Sequence, residues 1–200
     1  YAYELKAKQE LVSECFAQQH LDITVLPTQT DGKEYFYRNK MEYSLYFDHA
    51  DNLIHLAFHK RGSHGKIPIT QSSIERPEIF ARAQTIVDEL NVKHEEARKY
   101  QSLLLRCNQK GEVSGDLFEN GKPHPIMPNL SDELLGRKYS YSPNGFFQIN
   151  LPVYEMVLKE IAKEMDDSPV LDLYAGVGSI GLSVAKEGQS LTLVEVNGAA

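Results

Sequence analysis

The sequence predicts a mixed α/β chain. An α+β domain over residues 1–132 precedes the opening of a parallel α/β sheet over residues 133–200. Three observations predict it. The apolar run Val170-Leu-Asp-Leu-Tyr174 breaks into a turn bearing Gly176, Gly178 and Gly181, then into a helical pattern through Leu182, Val184 and Ala185. That strand–turn–helix order brings a backbone close to a ligand and aims a helix N-terminus at it. A second apolar run, Leu191 to Val196, follows and carries an acid, Glu195. Upstream of residue 130, paired alternating runs separated by turn residues read instead as antiparallel hairpins.

In chain order, residues 1 to about 20 set Leu5, Leu11, Val12, Cys15 and Phe16 against Glu4, Lys8, Glu10 and Glu14, an amphipathic helix. Glu34 to Phe47 is aromatic-rich and alternating, which is strand chemistry; His49–Asn52 is a turn and Leu53–His59 the returning strand. Lys60–Lys66 is a basic, glycine-bearing loop tip. Ile67-Pro-Ile69 is a short edge strand, because proline has no N–H to offer a central one. Pro77 suits the first turn of a helix that runs to about Lys93, with Ile79, Phe80, Ala83, Ile86, Val87 and Leu90 inward. Gln101–Cys107 and Glu112–Phe118 form another antiparallel pair, turned at Asn108–Gly111. Asn120–Asn129, with Gly121, Pro123, Pro125 and Pro128, reads as an irregular connection, and the domain boundary falls within residues 128–136. Lys138–Tyr141, Gly145–Asn150 and a helix from Pro152 to about Met165 then lead into the glycine turn.

Hydrophobic content of 42% and charged content of 24% are those of an ordinary soluble globular protein. A net charge of −7 argues against a protein that coats nucleic acid non-specifically, though a local basic face remains compatible with it. No apolar run is long enough to span a membrane and no signal peptide opens the chain. Two cysteines, Cys15 and Cys107, make no disulfide framework; both are expected in the core, in a cytoplasmic monomer. Two parallel strands are too few for a stable sheet of this class, so a longer parent protein is expected.

Gly176-x-Gly178-x-x-Gly181 satisfies a dinucleotide fingerprint, but Asp172 just before it favours a different ligand. A buried carboxylate repels a pyrophosphate, whereas S-adenosylmethionine brings an ammonium and a sulfonium. A dinucleotide cofactor and a purely structural turn are the alternatives. Glu195, at the tip of the next strand, is placed to accept hydrogen bonds from ribose hydroxyls. Arg38 and Lys40 share a face of an alternating strand, and Lys60, Arg61 and Lys66 sit on the adjoining hairpin. Such a cluster can hold phosphates while Tyr35, Phe36 or Tyr37 packs on sugar or base; a solvated charged face is the plainer reading. His55, His59 and His64 lack a cysteine or acid at ligand spacing, so no metal site is expected.

Taken together, Tyr1-x-x-x-Leu5-x-x-Lys8-x-x-x-Val12, Tyr37-Arg-Asn-Lys-Met-Glu-Tyr-Ser44, Phe58-His-Lys-Arg-Gly-Ser63, Phe146-Phe-Gln-Ile-Asn150 followed by Tyr154, and the Asp172–Gly181 turn with Glu195 resemble one family, in order. It is the S-adenosylmethionine-dependent RNA uracil-5-methyltransferases, whose catalytic domain is Rossmann-like. The resemblance implies methyl transfer to carbon 5 of a uridine in structured rRNA or tRNA. It implies cofactor contact by Gln148, Tyr174, Ser179 and Glu195, with Asp172, Gly176 and Gly178 shaping the pocket, and RNA contact by Arg38, Lys40, Lys60 and Arg61. Ser179 departs from the family, which often has asparagine there. The family's cysteine nucleophile and carboxylate base are expected beyond residue 200, so no catalytic residue is assigned. Ser72 stands where relatives carry the fourth cysteine of an iron–sulfur cluster; serine is a poor ligand, and no cluster is expected. The rival functions are a non-catalytic RNA-binding module and a dinucleotide-dependent oxidoreductase.

Overall fold

The computed structural model describes residues 1–95, 99–125, 129–143 and 145–198. They form two compact units, Tyr1–Glu34 and Tyr35–Ala200.

In the first unit, helix α1 (Ala2–Gln18) buries no side chain. The following segment runs back along it: the Gln9 amide donates to the Val25 carbonyl at 2.8 Å, and the Thr28 hydroxyl to the Leu5 carbonyl at 2.9 Å. Cys15 is exposed, which corrects its expected core position. The helix is amphipathic in spacing, but its apolar side has no sheet of its own unit to cover.

The second unit is built on an antiparallel six-stranded sheet. Its strands are β1 (Lys40–Asp48), β2 (Leu53–His59), β3 (Lys66–Pro68), β4 (Tyr100–Cys107), β5 (Val113–Glu119) and β6 (Lys122–Pro125), in the order β3-β2-β1-β4-β5-β6. Helix α2 (Pro77–Val92) covers one face. Ile79, Ala83, Ile86, Val87 and Leu90 meet Met41, Tyr43, Leu45, Leu103 and Leu105 in the first core. The expected pairs are present in register, Ser44 opposite Ala57 and Leu105 opposite Gly115. Two expectations change. The first strand begins at Lys40 rather than Glu34: Phe36 is left-handed (φ +56°), which interrupts an extended run. From Asn120 to Pro125 the expected irregular connection is a hairpin: Asn120 and Gly121 both take positive φ, the two-residue turn that matches strand twist, and β6 carries Pro123 and Pro125 because it is an edge, while Pro128 lies outside the described residues.

A second core lies further along the chain. Strands β7 (Leu130–Leu134) and β8 (Arg137–Tyr141) form a hairpin turned by Leu135 and Gly136, both at positive φ. Helix α3 (Leu151–Glu164) starts at Asn150, whose side chain accepts the Val153 N–H, with Pro152 in its first turn. Strands β9 (Val170–Leu173) and β10 (Leu191–Val194) pair in parallel, with the short helix α4 (Gly181–Val184) between them. Leu130, Leu134, Tyr139, Tyr141, Phe147, Leu151, Tyr154, Leu158 and Val184 are buried together. Leu171 and Leu173 of this parallel pair are 61% and 55% exposed, because the described helices cover one face only. Among the described residues no helix is long and apolar enough to cross a membrane.

Candidate nucleoside-cofactor site

Past the end of β9 the backbone turns left-handed at Tyr174 (φ +59°), Gly176 (+55°) and Gly178 (+74°). Glycine meets that demand without strain; a tyrosine there is uncommon and is held against its preference. Space is also short. A Cβ on Gly178 would lie 2.9 Å from the side chains of Leu182 and Leu193, and one on Gly181 would lie 2.9 Å from Asp172 Oδ2. Asp172 Oδ2 accepts the Gly181 N–H at 2.9 Å, so this acid braces the turn and the start of α4.

Glu195, just past β10, closes the bend from the other side. Its Oε2 accepts the Gly176 N–H at 2.8 Å and its Oε1 the Asn197 N–H at 2.7 Å. These backbone donors, Asn197 first and then Gly176, hold the carboxyl below the ordinary glutamate range. A cavity of about 740 Å³ opens beside this bend. Of the expected ligand residues it gathers Tyr174, Gly176 and Glu195. It adds Tyr141, Gly145, Phe146, Asn129 and Asn197, which sequence reasoning did not name.

Three residues expected at the pocket do not line this cavity. Gln148 is half-buried and does not line the cavity; its carbonyl accepts the Asn39 side-chain amide at 3.0 Å. Ser179 is buried with its hydroxyl 2.8 Å from the Tyr154 hydroxyl. Gly178 packs on Leu182 and Leu193 rather than on the cavity. The Phe-Phe-Gln-Ile-Asn run does reach the site, but through a different residue. Phe147 enters the second core and stacks on Tyr141 with centroids 4.2 Å apart, while Phe146 stays 80% exposed at the cavity. Tyr174 is 90% exposed beside it on the cavity lining. Adjacent residues of an extended run alternate sides, so a buried Phe147 was the signal that Phe146 faces outward.

The basic residues divide as well. Lys60 and Arg61 are exposed in the β2–β3 loop, whose turn is closed by the Lys60 N–H on the Gly65 carbonyl at 2.8 Å. Arg38 lies before β1, where its backbone forms an isolated parallel β-bridge with that of Glu75, and its Nε donates to the Lys40 carbonyl at 2.9 Å. The shared strand face expected for Arg38 and Lys40 is thus replaced by a bridge and a strand start. Lys40 pairs with Arg106 across β1 and β4, and its Nζ lies 3.5 Å from the Gly145 carbonyl. Burial, with Arg106 beside it, lowers the Lys40 pKa.

The other candidate groups are engaged. Ser72 donates to Glu75, which also accepts the Tyr43 hydroxyl at 2.7 Å. Cys107 is buried in the first core, where burial pushes its thiol up to about 11, unsuited to nucleophilic work near neutral pH. Among the described residues one group has metal-ligand chemistry, Asp48, Asp51 and His55 at the β1–β2 turn. Both carboxylates cap that turn, on the Ala50 and Leu53 N–H groups, and Asp51 also holds His55 at 2.9 Å.

No family model matches the chain. It is 26% identical over 204 aligned residues, 84% of its length, to a 23S rRNA (uracil(1939)-C(5))-methyltransferase from Pseudoalteromonas translucida, and covers 45% of that protein. It is 39% identical over 80 residues, 39% of its length, to a 23S rRNA (uracil(747)-C(5))-methyltransferase from Pyrococcus horikoshii, covering 19% of it. The chain thus spans about half or less of the curated relatives it matches. Its fold follows the crystal structure of Pyrococcus abyssi tRNA (uracil-54, C5)-methyltransferase in complex with S-adenosyl-L-homocysteine. The TM-score is 0.74 at 18% identity, covering 98% of this chain and 57% of that one. Over part of their length, the chain is thus similar in sequence and in fold to RNA uracil-5-methyltransferases.

Proposed function

We propose that this chain is the RNA-contacting and cofactor-binding portion of an S-adenosylmethionine-dependent enzyme that methylates carbon 5 of a uridine in rRNA or tRNA. The observation that carries the reading is Glu195 fixed on the Gly176 N–H at the edge of a cavity of about 740 Å³, a size suited to a nucleoside. The Glu195 carboxylate keeps lone pairs for ribose hydroxyls, and the exposed rings of Tyr174 and Phe146 offer flat apolar surfaces for a base. Asp172 acts through the turn, by holding the Gly181 N–H. S-adenosylmethionine, when bound, supplies the methyl group. The residues that hold it here are Glu195, Tyr174, Gly176 and Asn197; Gln148 and Ser179 serve the wall and the turn behind it.

RNA binding is assigned to Lys60 and Arg61 on the exposed loop, with Arg38 beside the sheet end. Continuing the β1–β2 register past Ser44 and Ala57 brings the loop to the end of the sheet where Lys40 and Arg106 pair. We put the domain division at the start of residues 128–136, because Leu130 and Leu134 already pack in the second core. A cytoplasmic monomer belongs to the same reading, with two unpaired cysteines and an RNA substrate.

Calorimetry with S-adenosylhomocysteine and with NAD⁺ tests the reading. Binding of the first and not the second is expected; binding of NAD⁺ alone sinks it. Substrate choice is read by release of tritium from 5-tritiated uridine in rRNA and in tRNA incubated with the full-length enzyme.

A further inference from the structure

Arg106 is 1% exposed, among the most buried side chains of the chain, yet it carries a guanidinium. Its Nε and Nη1 find no hydrogen-bond partner among the described residues. Burying a charge so poorly paired is costly, and an apolar side chain of that volume would serve the core better. The contacts it does make all lead to one place. Nη2 donates to the carbonyls of Phe147 at 3.2 Å and Gly145 at 3.4 Å, and the guanidinium lies 5.2 Å over the Tyr141 ring. Tyr141 is itself fixed through its hydroxyl on Asp132, and it stacks on Phe147. Asn39 takes the next two carbonyls of the same segment: its side-chain amide donates to Gln148 at 3.0 Å and its backbone N–H to Ile149 at 2.9 Å.

We propose that Arg106 and Asn39 are positioning residues: from the end of the antiparallel sheet they clamp the carbonyls of Gly145, Phe147, Gln148 and Ile149, and so hold Phe146 and Gly145 as the wall of the cofactor cavity. The inference rests on the functional reading above only for what the cavity binds. Among these five successive residues, Phe146 has no carbonyl taken by the clamp, and it is the one whose ring is exposed at the cavity. Neither Arg106 nor Asn39 lines the cavity, so their influence on a ligand runs through the backbone they grip. Asn39 also lies between Arg38 and Lys40, which puts one half of the clamp within the stretch assigned to RNA.

The test compares Arg106→Met, Arg106→Lys and Asn39→Ala in the protein by two readouts, amide hydrogen exchange and S-adenosylhomocysteine affinity. For Arg106→Met we expect exchange of the 145–150 amides to rise about tenfold, the equivalent of one buried hydrogen bond, while Leu103–Leu105 stay protected. Affinity is expected to fall by a similar factor. Arg106→Lys keeps one donor for these carbonyls and should restore most of both. Asn39→Ala gives the same local loosening and keeps the test open if Arg106→Met fails to fold. Unchanged exchange in 145–150, or loosening spread equally through the sheet, overturns the clamp. Wild-type protein that ignores S-adenosylhomocysteine while the exchange effect stands overturns the cofactor reading and leaves the clamp intact.

Discussion

The Glu195 carboxylate accepts the backbone N–H of Gly176 at 2.8 Å, tying the tip of β10 to the bend that follows β9. One side chain therefore serves both the shape of the bend and the polar edge of the cavity. Glu195→Ala is expected to weaken S-adenosylhomocysteine binding by at least about tenfold, since a charge-assisted acceptor is lost. Glu195→Gln keeps one oxygen for Gly176 and should fall between. Calorimetry on the three proteins decides it, and equal affinities would remove Glu195 from the site.

Two glycines are fixed by space rather than by φ. A Cβ on Gly181 would meet Asp172 Oδ2 and the Leu191 side chain at 2.9 Å; the leucine can yield, so Gly181→Ala should cost about 1–3 kcal/mol. A Cβ on Gly115 would meet the Leu104 carbonyl oxygen at 2.0 Å, and a backbone within a six-stranded sheet has little room to move. Gly115→Ala should cost more than about 3 kcal/mol. Urea unfolding that ranked the two the other way round would contradict this packing.

Glu75 is buried and serves Tyr43 and Ser72 at once. Tyr43→Phe leaves one carboxylate oxygen without its donor and should lower stability by about 1–3 kcal/mol. Glu75→Ala orphans the buried Tyr43 hydroxyl as well and should cost more. Thermal melts of both variants, with the double variant to expose their coupling, provide the measurement.

The buried thiol gives a pH dependence with a definite sign. Cys107 is raised from 9.0 to about 11, chiefly by burial, and burial raises Tyr43 and Tyr141 in the same direction. In each case the unfolded chain loses its proton first, so the unfolded state binds fewer protons and stability falls as pH rises. Cys107's contribution is complete below pH 9 and is lost between about 9 and 11. The denaturation midpoint should therefore decline over that interval, less steeply in Cys107→Ala. Alkylation of the native protein should modify exposed Cys15 and spare Cys107.

The exposed loop and the half-buried lysine separate in salt. If Lys60 and Arg61 hold phosphates, replacing each by alanine should reduce the slope of log affinity against log salt by about one. Lys40→Ala should leave that slope nearly unchanged, because its ammonium is turned to the Gly145 carbonyl. RNA titrations at several salt concentrations read both.

Much of the fold was legible because its signals are local. Pro77 marks the first turn of α2, and alternation marks β1, β2, β4 and β5. The same proline rule that places Ile67-Pro-Ile69 on an edge also applies to Pro123 and Pro125, but their density masked a hairpin turned by Asn120 and Gly121. At the site, the acid and the glycines of the bend were legible from strand–turn–helix order; that Phe146 rather than Gln148 lines the cavity was not.

By itself the sequence determined where the backbone must bend and which acids stand beside the bend, because φ preference, missing Cβ atoms and short-range spacing act within a few residues. Only the tertiary structure decided which side chains reach the cavity. Burial of Phe147 turned Phe146 outward, Tyr154 engaged Ser179, and Asn39, more than 100 residues earlier in the chain, took hold of Gln148. Those outcomes depend on which partner a polar group finds when distant segments close on one another, and spacing along the chain carries no record of that.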